Sequence, residues 1–145
     1  MAVKPIPDGH SSVIPYLVIP SVVRQIEFLQ KVFDAKVKYK MAMPDGTIMH
    51  AHVRIGDSSI MMGQTPPGQN PVTAMLYMYV TDADAVYRRA IEAGATSISA
   101  VKDEFYGDRV GAVKDAVGNQ WYIATHKEDV SDDELARRAM AARKQ

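Results

Sequence analysis

Residues 48–63 read IMHAHVRIGDSSIMMG, and this stretch decides the fold. In Ile48–Ile55 the side chains alternate. Met49, Ala51, Val53 and Ile55 fall on one face, and His50, His52 and Arg54 fall on the other. A period of two marks a strand with one side buried and one side open. Gly56-Asp57 is a two-residue hairpin signal, and residues 58–63 return as a second strand. Counting across that turn sets Met61 on the face of His52.

Upstream, residues 36–43 read as a strand ending at the turn Pro44-Asp45-Gly46, where Pro presets φ and Gly permits a positive value. Before it, Ser21 is placed to cap a helix in which Val22, Val23, Ile26, Leu29, Val32 and Phe33 recur at helical spacing. Residues 13–19, VIPYLVI, are β-rich, with Pro15 near the strand start. Residues 1–12 read as an extended arm. Downstream, residues 65–71 form a Pro/Gly-rich linker, and then the order repeats. Residues 73–80 read as a strand. Thr81 or Asp82 caps a helix whose apolar stripe is Ala85, Val86, Ala90, Ile91 and Ala93, and Gly94 ends it. Strands follow at 96–101, 105–114 and 119–125, the last two joined by the turn Asp115-Ala116-Val117-Gly118. Strand–helix–strand–strand–strand therefore occurs twice, in a first module at about 13–64 and a second at about 72–126. A final helix at about 131–143 is capped by Ser131, with Glu134 in the capping-box position.

The 145 residues suit one domain, and their 17 basic and 17 acidic side chains cancel. That balance gives no basic surface for nucleic acid or a membrane. With no cysteine, disulfides, thiolate catalysis and Cys-ligated zinc are excluded. Residues 1–12 lack the apolar core of a signal peptide, and no apolar run approaches the roughly 20 residues that span a bilayer. A cytoplasmic location is the expectation. There is no dinucleotide-binding glycine motif in the right context, no phosphate-binding loop, no nucleophile elbow and no HExxH zinc motif.

Several stretches resemble the PhnB-like branch of the vicinal-oxygen-chelate superfamily, of glyoxalase and bleomycin-resistance type. They run from Lys4-Pro5-Ile6-Pro7-Asp8-Gly9 and Pro15-Tyr16-Leu17 through Met43-Pro44-Asp45-Gly46 and His50-Ala51-His52-Val53-Arg54-Ile55-Gly56-Asp57. They continue with Tyr79-Val80-Thr81-Asp82-Ala83-Asp84, Ala93-Gly94-Ala95, Tyr106-Gly107-Asp108-Arg109, Gly118-Asn119 and Ala124-Thr125-His126. Each is common alone; in this order they cover nearly the whole chain. The resemblance implies an α+β fold of two βαβββ modules, mixed sheets curving into a cup around a small-molecule site, and a homodimer. In many members a divalent metal sits in the cup and chelates adjacent oxygens of the substrate.

The resemblance also places four metal-ligand positions, which here hold Ile14, Met61, Met75 and Tyr122. None is a hard-cation donor, because thioether sulfur suits soft ions. No metal cofactor is expected. His50 and His52 are the rival pair, since residues i and i+2 on a strand share a face and two imidazoles can clamp a metal. Such a site needs further ligands, and His10 and His126 read as lying outside the core strands. The plainer reading makes His50 and His52 hydrogen-bonded polar groups of a pocket.

Alternation predicts an inward set of Ile14, Tyr16, Val18, His50, His52, Arg54, Ser59, Met61, Met75, Tyr77, Tyr79, Arg109 and Tyr122. Aromatic and thioether walls with a few polar handles suit an organic ligand, although Met and Tyr on strands also serve as core or dimer interface. Arg109 pairs either with an anionic ligand group or with Asp108 or another carboxylate. Trp121 is expected against the second helix, and Asp82 and Asp84 at its cap. Three functions are compatible with these residues. One is a metal-free binder of a small organic molecule. The second is a glyoxalase-, lyase- or isomerase-type enzyme using His50 and His52 as catalytic groups. The third is an interaction module whose cup is filled by its own side chains.

Overall fold

The computed structural model describes residues 2–143. The chain forms two compact units, residues 1–74 and 75–145. In the first, β1 (Tyr16–Ile19), α1 (Val22–Phe33), β2 (Lys36–Ala42), β3 (Ile48–Ile55) and β4 (Ser58–Gln64) follow in order. The sheet order is β1-β4-β3-β2, with β1 parallel to β4 and the other pairs antiparallel. The second unit holds β5 (Met75–Tyr79), α2 (Ala83–Glu92), β6 (Thr96–Asp103), β7 (Asp108–Lys114), β8 (Gln120–His126) and α3 (Asp132–Arg143). Its order, β5-β8-β7-β6, repeats the first sheet strand for strand, again with the first and last strands parallel. The expected α+β architecture of two four-stranded mixed sheets is therefore present.

The apolar periodicity explains which face each helix covers. The Ser21 hydroxyl accepts from the Arg24 N–H at 3.2 Å and starts α1. Asp34 ends it in the left-handed region at φ 55°. Val22, Ile26, Phe28, Leu29, Val32 and Phe33 are buried, together with Gln25. Val23, which the spacing assigned to the apolar stripe, lies on the solvent side. Leu17, Ile19, Ala51, Val53, Ile60 and Met62 are buried on the helix side of the sheet. At the far end of β3, Ile48 is buried and Met49 exposed, because the β2–β3 register slips between Met41 and Ala42.

In the second unit Asp82 caps α2, its carboxylate accepting from the Ala85 N–H at 3.1 Å. Trp121, Ile123 and Val113 are fully buried, with Trp121 paired to Leu76 and Val113 in the sheet. Gly111 lies where a Cβ would come within 2.8 Å of the Tyr87 ring of α2, so helix and sheet meet closely there. Asp115 locks the β7–β8 turn. Its carboxylate accepts from the N–H groups of Val117 at 3.0 Å and Asn119 at 2.9 Å, and from the Trp121 indole at 2.8 Å. Residues 105–107, expected as the start of a strand, instead form the turn into β7. The C-terminal helix is present, capped by Ser131, and none of its described residues is buried. No helix among the described residues is long and apolar enough to cross a membrane.

Candidate functional site

In each unit the helix covers one face of the sheet, and the strand registers fix what lies on the other. On the first sheet Tyr16 pairs with Met61, Met61 with His52, and Arg54 with Ser59. Val18 pairs with Gly63, and Gly63 with His50. Tyr16, Val18, His50, His52, Arg54, Ser59 and Met61 thus share the face away from α1, as the alternation predicts. Gly63 gives Tyr16 room, since a Cβ there would lie 2.6 Å from the Tyr16 hydroxyl. The ring crosses the strand, and its hydroxyl meets His50 Nδ1 at 3.0 Å, with Tyr39 on the other side of that imidazole.

His52 lies beside His10 of the N-terminal arm, ring centroids 5.0 Å apart. Burial, then the basic side chains of His10, His50, Arg54 and Lys38 around it, pushes its imidazole below the ordinary value. Its Nε2 is buried with no hydrogen-bond partner among the described residues. Arg54 donates to the carbonyls of Gly9 at 3.3 Å and Asp57 at 3.0 Å and to the Ser59 hydroxyl at 3.3 Å.

On the second sheet Met75, Tyr77 and Tyr79 share the helix-free face with Tyr122, the partner of Tyr77. Arg109 does not join them. Ala112 pairs with Tyr122, and Arg109, an odd number of residues away, points to the α2 side. There its guanidinium donates to Asp84 at 2.7 and 3.0 Å and to Asp103 at 3.2 Å. Arg109 holds the Asp84 carboxyl below its ordinary range, and Asp84, expected only as a capping residue, is half of that ion pair. Ile14 precedes β1, which begins two residues later at Tyr16, so strand alternation assigns it no face.

The position that Arg109 was expected to fill belongs to its neighbour. Asp108, 4% exposed, accepts from the hydroxyls of Tyr77 and Tyr79, both at 2.8 Å, on Oδ2. On Oδ1 it meets His126 Nδ1 at 2.8 Å, and His126 Nε2 meets Asp129 at 2.8 Å. Burial pushes the Asp108 carboxyl up, but the hydrogen bonds from His126, Tyr77 and Tyr79 outweigh it and leave the group below its ordinary value. The two carboxylates hold His126 above its own. Burial and the Tyr106 and Asp108 contacts push the Tyr77 phenol strongly up, and the Asp108 bond raises Tyr79. Both phenols therefore stay protonated and donate to Asp108, and the Tyr106 hydroxyl lies 3.5 Å from that of Tyr77. His126 is the last residue of β8, not a loop residue outside the strands.

The four positions that the resemblance assigned to metal ligands hold an alkyl group (Ile14), two thioethers (Met61 and Met75) and a phenol (Tyr122), with no carboxylate or imidazole among them. Among the described residues no cluster of three or more His, Asp or Glu side chains is arranged to hold an ion.

Comparison with known proteins gives the lineage. Mycobacterium bovis protein Mb0911c is 34% identical over 134 residues, covering 83% of this chain and 87% of its own. Mycobacterium tuberculosis protein Rv0887c is likewise 34% identical, with 78% of its length covered. Among solved structures, TioX from Micromonospora sp. ML1 superposes with a TM-score of 0.69 at 24% identity, over 81% of this chain and 99% of that one. A glyoxalase/bleomycin resistance protein/dioxygenase family enzyme from Burkholderia phytofirmans PsJN gives 0.62 at 19% identity, over 77% and 94%. These two likenesses show the fold alone. Residues 14–123 match the sequence profile of the glyoxalase/bleomycin resistance protein/dioxygenase superfamily, and the chain belongs to it.

Proposed function

We propose that this protein binds a small organic molecule on the helix-free faces of its sheets, without a resident metal. The observation that carries the reading is the exposure of large apolar side chains there. Tyr16 is 48% exposed, Met75 59%, Tyr77 40% and Tyr79 65%. Aromatic and thioether groups left open on a sheet face are a surface for an organic ligand or a second chain. The polar groups beneath them, His50, His52 and Arg54 on one sheet and Asp108 on the other, would orient the ligand. The donor chemistry at the superfamily's metal positions supports the metal-free part. Within the same reading the chain falls in the PhnB-like branch, acts as a homodimer and works in the cytoplasm.

Native mass spectrometry of protein purified from cells without chelators tests this. A reproducible small-molecule adduct, released on denaturation, is the expected result. Stoichiometric zinc, nickel, manganese or iron by plasma mass spectrometry would overturn the metal-free assignment.

A second reading has its own support. The Tyr16 hydroxyl on His50, beside a His52 whose imidazole burial and basic neighbours push below its ordinary value, is a proton-handling pair for a lyase- or isomerase-type reaction. Turnover of 2-oxoaldehyde–thiol adducts or epoxides, abolished by His50→Ala and His52→Ala, is the outcome it requires. Turnover that survives both substitutions would place the chemistry elsewhere.

A further inference from the structure

The N-terminal arm and the first sheet together enclose a small concavity that lies partly outside the residues shared with the superfamily. Its volume is about 260 Å³, and Gly9, His10, Ser11, Arg54, Asp57 and Ser59 line it. Gly9, His10 and Ser11 precede residue 14, where the superfamily match begins. We infer that this concavity binds an anionic group, a carboxylate or phosphoryl, on a small organic molecule, seated between Arg54 and His10. The inference rests on the reading of the first sheet's open face as a ligand surface, and it names the chemistry that this face selects.

Three observations carry it. First, every hydrogen bond the Arg54 guanidinium makes among the described residues ends on a neutral oxygen: the Gly9 and Asp57 carbonyls and the Ser59 hydroxyl. None of these cancels its charge, although they fix its plane, and a fixed guanidinium suits a planar or tetrahedral oxyanion. Second, the charged neighbours acting on His52 are all basic: His10, His50, Arg54 and Lys38. One acid, Asp57, lines the concavity, and Asp8 precedes Gly9 on the arm. The Asp57 carboxylate accepts from the Ser58 hydroxyl at 2.8 Å, and Asp8 is paired with Lys4 at 2.7 Å. Third, His10, which lines the concavity, packs against His52 with ring centroids 5.0 Å apart, so a second basic side chain stands behind the first.

The arm holds His10 in place: its Nδ1 lies 3.1 Å from the Asp8 carbonyl, which can only accept, so that nitrogen donates and ties the ring to the arm.

The test uses the full chain labelled with ¹⁵N-histidine, titrated with inorganic phosphate and separately with benzoate. Sodium chloride holds ionic strength constant. Expected are saturable shifts of the His10 ring signals with at least one of the two anions. Arg54→Gln should weaken binding about tenfold, in line with loss of one charge-assisted hydrogen bond. His10→Gln lies on the arm, leaves both sheets intact, and should weaken binding. Shifts that track ionic strength, or that persist in both variants, overturn the inference. A co-purifying organic adduct with no anion response rejects this site and leaves the proposed function standing. An anion response with no adduct rejects the organic-ligand reading alone.

Discussion

At the scale of single residues, the two sheets carry different chemistry in equivalent positions. The first face is basic and built around His50, His52 and Arg54; the second is organised by one buried carboxylate. His126 shows what that carboxylate does to stability. Its folded value is raised by Asp108 and Asp129, so the charged ring is favoured in the native state. That contribution is complete below the unfolded value of 6.5 and fades as pH rises through the higher folded one. Melting temperatures of the native chain and of His126→Gln should therefore differ most at pH 6 and converge by pH 9; a gap that widens toward alkaline pH would contradict it. Gly63→Ala probes the other sheet. The added methyl would meet the Tyr16 side chain, its hydroxyl at 2.6 Å and two ring carbons at 3.2 and 3.3 Å; the half-exposed ring can swing aside, so stability should fall by about 1 kcal/mol. The Tyr16–His50 contact should be lost, read as an altered His50 ring signal.

At the scale of elements, hairpin counting is what made the first sheet legible. Gly56-Asp57 pins the register of β3 on β4, and every residue placed on that open face by alternation from 48–63 is found there. The same counting misleads at the second hairpin. A turn at 115–118 would set Lys114 against Asn119, but the Asp115 N–H donates to the Asn119 carbonyl at 2.9 Å, so the loop is 116–118 and Lys114 opposes Gln120, which brings Ala112 to Tyr122 and Asp108 to His126. Assigning Arg109 to the Tyr122 face breaks that parity by one, and a one-residue shift turns every side chain over. His126 was harder to place, because a histidine before a charged stretch carries no periodicity of its own. Contacts with distant residues, such as the Asp84–Arg109 pair, leave no local trace in sequence. The β7–β8 turn itself depends on Asp115. Asp115→Ala removes acceptors from two backbone N–H groups and an indole and should cost about 2–3 kcal/mol. Urea denaturation would measure it, and a loss within experimental error would show that the turn holds without its carboxylate.

At the scale of the whole molecule, composition said little about function, because 17 basic and 17 acidic residues leave no net charge to direct a partner. Neutrality still has a physical result. With a pI of about 6.9 and Tyr16, Tyr39, Tyr79 and Met75 open to solvent, little electrostatic repulsion opposes association through these surfaces. Light scattering after size exclusion should give the mass of two chains at neutral pH, as the proposed homodimer requires. A monomer at micromolar concentration would argue that the open aromatic groups serve a ligand alone.

The identical strand order of the two sheets has an evolutionary corollary. A polypeptide that traces one path twice owns two interchangeable frames, and mutation can experiment on one while the other keeps its chemistry. That freedom accounts for how neighbouring copies of a single topology came to hold a guanidinium with imidazoles in one and a phenol-ringed carboxylate in the other. It also marks the side chains on these strands, and not the strands themselves, as the place where new specificities can be selected.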